Sequence, residues 1–402
     1  MSAAPSMNKP DVRSKRNYLS DRINSLKPSG IRKFFDIVAT MDNVISLGIG
    51  EPDFTTPDPV LEAGIRSLQK GETHYTSNYG IIELRRAISR HIKKLYGVDY
   101  DPQREIVVTV GGSEALYLSA TALLNPGDEM IIPTPCFVSY QAEAHMAGGV
   151  PVEVACTMEN NFDLDPAAVR AAVTPRTRAI LVGYPNNPTG AVATCETLTE
   201  IVNIAEEHDL IIASDEMYDR LVYDDHQHVC VPALPGARDR SLLLGGFSKD
   251  YAMTGWRIGY AAGPAEIIDG LVRLHQYTIM SAPTTAQAAA IVALEEGEPF
   301  VQHMVSEYNQ RRRMIVDRLN AIGLPTFEPK GAFYAFPKIS VTGMDDVEFA
   351  EKLLEEERVA VVPGSAFGAG GEGFVRCCYA TAYEKIEEAM DRVGRFVERH
   401  AK

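Results

Sequence analysis

An α/β fold with a mostly parallel central sheet flanked by helices, joined to a smaller α+β domain, is what this chain predicts. Three observations predict it. Between about residues 105 and 260, short apolar runs alternate with stretches of helical periodicity. Those runs are continuously apolar, as expected of strands covered on both faces. From about residue 286 onward helical periodicity dominates, and neither a low-complexity linker nor an internal repeat divides the chain.

Taken in order, the candidate strands are 105–110, 129–133, 150–154, 179–183, 210–214, 241–245 and 258–262. Amphipathic stretches such as 195–208 lie between several of them and read as helices. Further on, 300–322 reads as a long helix, while 331–336 and 359–362 interrupt the helical pattern as strands.

The 402 residues are 45% hydrophobic, enough for a substantial core and, by length, two or three domains. A net charge of −15 argues against a nucleic-acid partner and equally against an anionic membrane surface. Apolar runs such as 211–213 and 242–244 are too short to span a bilayer, so the protein reads as soluble. The first residues carry Lys9, Arg13, Lys15 and Arg16 without an apolar segment. That pattern opposes a secretory signal and leaves a disordered tail or a basic organellar presequence. Cys136, Cys156, Cys195, Cys230, Cys377 and Cys378 form no C-x-x-C pair and match no metal or disulfide framework. They read as reduced thiols of a cytoplasmic enzyme, with no metal site.

Lys249 carries the most chemical information. It follows the apolar run 242–244 and two glycines, and a glycine-punctuated apolar stretch comes after it. A strand ending in small residues lets the backbone approach a ligand closely. A lysine delivered into such a partly desolvated place has a lowered pKa and can form a Schiff base with a carbonyl. Eight residues on, Arg257 supplies a fixed cation suited to a phosphate dianion. Together they suggest pyridoxal 5′-phosphate.

Ligands of open α/β sheets sit outside the carboxyl ends of the strands, and several reactive residues fall at such ends. Gly111-Gly112-Ser113 follows the first strand and opens a helix, where free N–H groups favour a phosphate. Alone it is equally a turn with an N-cap; beside Arg257 it is the other half of a phosphate cup. Tyr184-Pro185-Asn186-Asn187-Pro188-Thr189-Gly190 ends the strand 179–183 and by composition marks a loop. Asp215, at the end of 210–214, is either a helix N-cap or a buried anion that keeps a cofactor ring nitrogen protonated. Tyr218 lies one helical turn away if a helix begins there. Arg376, on the apolar stretch 373–379, needs an anionic partner.

The stretch 245–259 resembles the cofactor-attachment signature of class I aminotransferases, which belong to fold type I among the pyridoxal-phosphate enzymes. The resemblance runs from about Leu19 to Val397, with the motifs in family order. It implies that Lys249 binds the cofactor, that Asp215 pairs with the ring nitrogen, and that Asn187 and Tyr218 bond its phenolic oxygen. It implies phosphate contacts from Gly111, Gly112, Ser113, Ser248 and Arg257, and a stacking role for Phe137, whose alternative is ordinary core packing. Gly50, Asn187 and Arg376 match the family's contacts to the substrate, the last as a bidentate fork on the α-carboxylate. Tyr75 matches the tyrosine that reaches the phosphate of the neighbouring subunit, which implies a homodimer with shared active sites. Many relatives carry a hydroxyl residue three positions before the lysine; here that is Gly246. The resemblance also implies an N-terminal arm that joins the small domain (1–46), a large cofactor-binding domain (47–285) and a small C-terminal domain (286–402).

The implied reaction is transamination, with Lys249 moving the proton between the substrate α-carbon and the cofactor, and with amino acids and 2-oxo acids as partners. Dicarboxylate-specific relatives carry a lysine and a threonine where this chain has Ser113 and Ile31. The stretches 323–334 and 359–368 look like archaeal-type aromatic aminotransferases. The expectation is therefore an aromatic or broad-range enzyme using an acceptor such as 2-oxoglutarate, with an aspartate aminotransferase of the I-gamma subgroup as the alternative. A pyridoxal-phosphate lyase would share every cofactor residue. A non-enzymatic regulator of this fold would need an added DNA-binding segment, for which the residues before Tyr18 leave no room.

Overall fold

In the computed structural model, which describes residues 18–26 and 41–401, the strands begin with β1 (Ile45–Ser46). There follow β2 (Ile106–Thr109), β3 (Glu129–Thr134), β4 (Val150–Ala155), β5 (Thr177–Gly183), β6 (Ile211–Asp215), β7 (Ser241–Gly246) and β8 (Gly259–Ala262). The strands β2 to β8 are the seven expected ones, and they form one sheet in the order β2-β8-β7-β6-β5-β3-β4. Adjacent strands from β7 to β4 pair in parallel, and β8 runs antiparallel to both its neighbours. The N-terminal tail and Ile31 lie outside the described residues.

The continuous apolar runs have a direct cause in the pleat. Successive side chains of a strand point to opposite faces. Met130, Ile132, Ala179, Leu181, Ala213, Leu242 and Leu244 pack into one cluster, with the helices Gly111–Leu123, Ser139–Met146 and Ala265–Thr278. Their neighbours Ile131, Ile180, Val182 and Ile212 pack on the opposite face against the helix Cys195–Glu207. On that same face Leu243, Ile106 and Val108 meet the helices Ile82–Tyr96 and Thr284–Glu296. Helices cover both faces, so neither parity is predominantly polar in the inner strands, while the edge strand β4 is largely half-exposed and carries Glu153.

The C-terminal region departs from expectation in its details. The run 331–336 yields only the short β9 (Tyr334–Ala335). The run 359–362 splits at Val361 into β10 (Val359–Ala360) and β11 (Val362–Pro363). β10 pairs in parallel with β1, whereas β11 and β9 flank β12 (Val375–Cys378) on either side, both antiparallel. One apolar run thus serves two sheets. The same cluster holds Ile45, Leu47, residues of β9, β10 and β12, and the helices Glu298–Ile322 and Tyr383–His400.

The topology also explains where a site forms. The parallel strands present their carboxyl ends at one edge, and β2 shares their direction because two antiparallel pairings separate it from β7. β8 begins at that edge, directly after Arg257. Every strand-end residue picked out above is delivered there.

Candidate active site

A cavity of about 530 Å³ opens at this edge, a size suited to a small molecule. All the residues expected at the site line it except Gly111 and Tyr75. Gly111 sits directly behind it, in contact with Arg257, because a Cβ there would lie 2.6 Å from Nη2. Tyr75 is 82% exposed, away from the cavity.

Lys249 follows β7 by three residues and projects into the cavity. Its Nζ donates to the Gly50 carbonyl at 2.6 Å and faces the Tyr218 and Phe333 rings. The side chain opens to solvent through the cavity and is otherwise enclosed by protein. That enclosure, aided by the charges of Arg376 and Arg257, pulls its pKa from 10.5 down to about 8. A useful fraction of the amine is therefore neutral, hence nucleophilic, near physiological pH.

Asp215 is the last residue of β6. No α-helix follows it: residues 217–220 form turns, and the Asp215 Oδ1 accepts the Met217 backbone N–H at 3.1 Å. The Tyr140 hydroxyl donates to its Oδ2 at 2.7 Å. Burial raises the Asp215 pKa, and these two hydrogen bonds oppose the rise. A cation placed above this carboxylate would hold it ionised.

At one end of the cavity the helix Gly111–Leu123 begins without a side-chain cap, so its first N–H groups stand beside Ser113 and Ser248, whose hydroxyls bond nothing else in the described chain. Arg257 completes this end. It adopts a left-handed backbone (φ 51°), donates to the Thr254 carbonyl at 2.9 Å and has no carboxylate partner among the described residues. A Cβ on Gly246 would lie 2.8 Å from Met217 Cε, so the Met217 thioether occupies the space a side chain would need there.

At the other end Arg376 projects from β12 and is 3% exposed. Nη1 donates to Asn187 Oδ1 at 2.8 Å and Nη2 to the Gly48 carbonyl at 2.6 Å, while Nε has no partner. Its guanidinium lies 4.5 Å from the Tyr334 ring centroid and 4.9 Å from that of Phe367. A buried guanidinium whose partners are all neutral calls for an anion. The Asn187 amide N–H groups remain free to donate into the cavity.

Several residues of the site escaped sequence reasoning. The Tyr334 hydroxyl lies 2.7 Å from that of Tyr218 and 2.4 Å from where a Gly50 Cβ would stand. Tyr140 holds Asp215, and Glu143, one turn further along its helix, is buried, with its pKa pushed up to about 9 by burial and by the Asp215 charge. Ile49, Leu116 and Met217 supply apolar wall. The only available signal was proximity in sequence to residues already noted, since Tyr140 follows Phe137 by one turn and Tyr334 sits in the run 331–336.

The three-layer α/β fold and this strand-end site define a transferase of the class I aminotransferase type. The chain belongs to the family described as aminotransferase class I and II, whose model matches residues 42–393. It is 48% identical to an aspartate aminotransferase of Pyrococcus abyssi, over 94% of this chain and 97% of the relative. It is 47% identical to aromatic-amino-acid aminotransferase 2 of Thermococcus litoralis, again over 94% and 97%. The crystal structure of an aromatic aminotransferase from Pyrococcus horikoshii superposes with a TM-score of 0.87 at 46% identity, covering 92% of this chain and 99% of that one. No helix among the described residues is long and apolar enough to cross a membrane.

Proposed function

We propose that this aminotransferase works with pyridoxal 5′-phosphate held at Lys249 and moves the amino group of an aromatic or broad range of L-amino acids to a 2-oxo acid such as 2-oxoglutarate. The observation that carries this reading is the set of groups gathered on one cavity: phosphate donors without a carboxylate partner, a depressed-pKa lysine, a half-buried carboxylate and an anion-seeking arginine. The residues fit the cofactor. Gly111 is a cradle that a Cβ would close against Arg257, and Asp215 is a half-buried carboxylate whose charge burial disfavours and a cation would restore.

When bound, the cofactor supplies an electron sink for the charge left by loss of the α-proton. The rest falls to this chain. The Ser113 and Ser248 hydroxyls, the N–H groups of Gly112 and Ser113, and Arg257 hold the phosphate. Asp215, oriented by Tyr140, keeps the ring nitrogen protonated, and Phe137 packs on the ring. Asn187 and Tyr218 bond the ring oxygen, with Tyr334 holding the Tyr218 hydroxyl in place. Arg376 and the Gly50 backbone orient the substrate carboxylate, and Asn187 touches both ligands. The Lys249 amine would take the proton from the substrate α-carbon as general base and, once protonated, give it back as general acid. Tyr75 serves the phosphate of a second copy, so the working form is a homodimer, and we place it in the cytoplasm. The division into arm (1–46), large domain (47–285) and small domain (286–402) belongs to the same reading.

The apolar lining from Ile49, Leu116, Phe137, Met217 and Tyr334 supports the aromatic preference. So does the cation count: besides Lys249, Arg257 and Arg376, no lysine or arginine among the described residues lines the cavity to meet a second carboxylate. Aspartate is the competing donor, supported by relatives named for it.

A half-reaction titration tests this reading. The protein loaded with pyridoxal phosphate is mixed separately with phenylalanine, tyrosine, aspartate, glutamate and alanine, and the cofactor absorbance is followed. Fast conversion by the aromatic amino acids is the expected result. Conversion by aspartate and not phenylalanine would reassign the donor, and release of ammonia without an amino acceptor would indicate a lyase.

A second expectation concerns pH. Only the neutral amine captures an aldehyde, and a lowered pKa makes it neutral at lower pH. In the cofactor-free protein the rate of pyridoxal capture should climb through about pH 8 and level off above it. A rate still rising through pH 10 would mean an unperturbed lysine.

A further inference from the structure

Glu114 and His275 stand outside the cavity, and no role above uses them. Glu114 lies in the first turn of the helix Gly111–Leu123, directly after Ser113. Its Oε2 accepts the Val110 backbone N–H at 2.6 Å, and its Oε1 lies 2.7 Å from His275 Nδ1. A carboxylate only accepts, so Nδ1 carries the hydrogen and donates. His275 projects from the helix Ala265–Thr278, is 0% exposed, and leaves its Nε2 without a partner among the described residues. An unpaired buried polar atom costs free energy, which an apolar residue at the same place would avoid. What the imidazole contributes is therefore the hydrogen bond of its other nitrogen.

That nitrogen fixes the carboxylate, and the carboxylate fixes the entry to the turn at 111–113. The turn has no slack. Gly111 has φ +70°, a conformation that favours glycine, and the Thr109 hydroxyl donates to its carbonyl at 2.9 Å. A Cβ on Gly259 would lie 2.7 Å from the Gly111 carbonyl carbon and 2.8 Å from the Gly112 nitrogen. β8 and Arg257 thus press the turn from one side, while Glu114 draws it in through the Val110 N–H.

We propose that Glu114, held by His275, is a positioning pair that sets the 111–113 turn against Arg257 and so determines the affinity of this end of the cavity for a phosphate group. The inference rests on the cofactor reading above, and its effect is confined to the phosphate. N–H donors hold an oxyanion well only when they converge on it without reorganising.

The test uses the full chain stripped of cofactor, with Trp256, the only tryptophan and the neighbour of Arg257, as fluorescence reporter. Pyridoxal phosphate, inorganic phosphate and pyridoxal are titrated into wild type, His275→Leu, His275→Asn and Glu114→Gln. His275→Leu and Glu114→Gln are expected to weaken pyridoxal phosphate and inorganic phosphate by about tenfold or more, with pyridoxal unchanged. His275→Asn keeps an N–H near the place of Nδ1 and should stay within about threefold of wild type. Equal weakening of pyridoxal, or unchanged phosphate binding in both His275→Leu and Glu114→Gln, would overturn the inference. If wild type binds inorganic phosphate but not pyridoxal phosphate, the cofactor reading falls while the phosphate arm still decides the role of the pair. If wild type binds neither, both fall.

Discussion

Replacing Lys249 with alanine is expected to lower transamination by about 10⁴-fold or more, measured at saturating pyridoxal phosphate with phenylalanine and 2-oxoglutarate. The size follows from position. Lys249 is the only amine lining the cavity among the described residues, and its pKa of about 8 suits it to both nucleophilic capture and proton transfer near neutral pH. No other side chain there combines basicity with that reach. Asp215 is committed to Tyr140, and the Tyr218 hydroxyl, its pKa driven up by burial and by Tyr334, is a poor base. The loss should not come from unfolding. Among the described residues Lys249 makes a single hydrogen bond, to Gly50, and removing a partly desolvated amine relieves about as much as it costs. Circular dichroism and thermal melting of the variant should therefore match wild type within a few degrees. Activity above about one percent of wild type would take the central role away from this lysine.

Replacing Arg376 with leucine is expected to reduce kcat/KM roughly 10²- to 10³-fold, chiefly by raising KM for amino acid and 2-oxo acid alike. The guanidinium is buried on β12 between two aromatic rings, and its protein partners are neutral oxygens of Asn187 and Gly48. A charge kept there without an anion is costly, and a substrate carboxylate repays that cost. Arg376→Lys should recover little, because an ammonium cannot present two parallel N–H groups to a carboxylate. An amine substrate without a carboxyl group supplies the control, since its turnover should be about equal in wild type and Arg376→Leu. If KM stays at the wild-type value, the substrate carboxylate lies elsewhere.

Much of this was legible before any coordinates. Most of the sheet strands were recognisable because burial on both faces forces apolar residues at both parities, a pattern carried by four to seven adjacent residues; β4, at the sheet edge, is largely half-exposed. Lys249, Asp215, Asn187 and the Gly111-Gly112-Ser113 turn were legible because each lies at, or within four residues of, the end of such a strand. The short strands of the C-terminal region were less legible: two-residue strands such as β9, β10 and β11 carry no period to read. The turn after Asp215 was legible only as a conditional helix, since the side-chain hydrogen bond from the Met217 N–H that shapes it is invisible to periodicity.

What the amino-acid order determined by itself was the fold class, the edge at which chemistry collects, and the residue types waiting there. Those are properties of adjacent residues, set by pleat, turn and burial. What only the tertiary structure decided was who holds whom. Tyr140 reaches Asp215 across 75 residues, Tyr334 reaches Tyr218 across 116, and His275 reaches Glu114 across 161. Met217 fills the space beside Gly246, and Arg376 is left without a carboxylate of its own among the described residues. Such pairings depend on how separate layers pack, and a hydrogen bond formed on packing leaves no period in the chain that makes it.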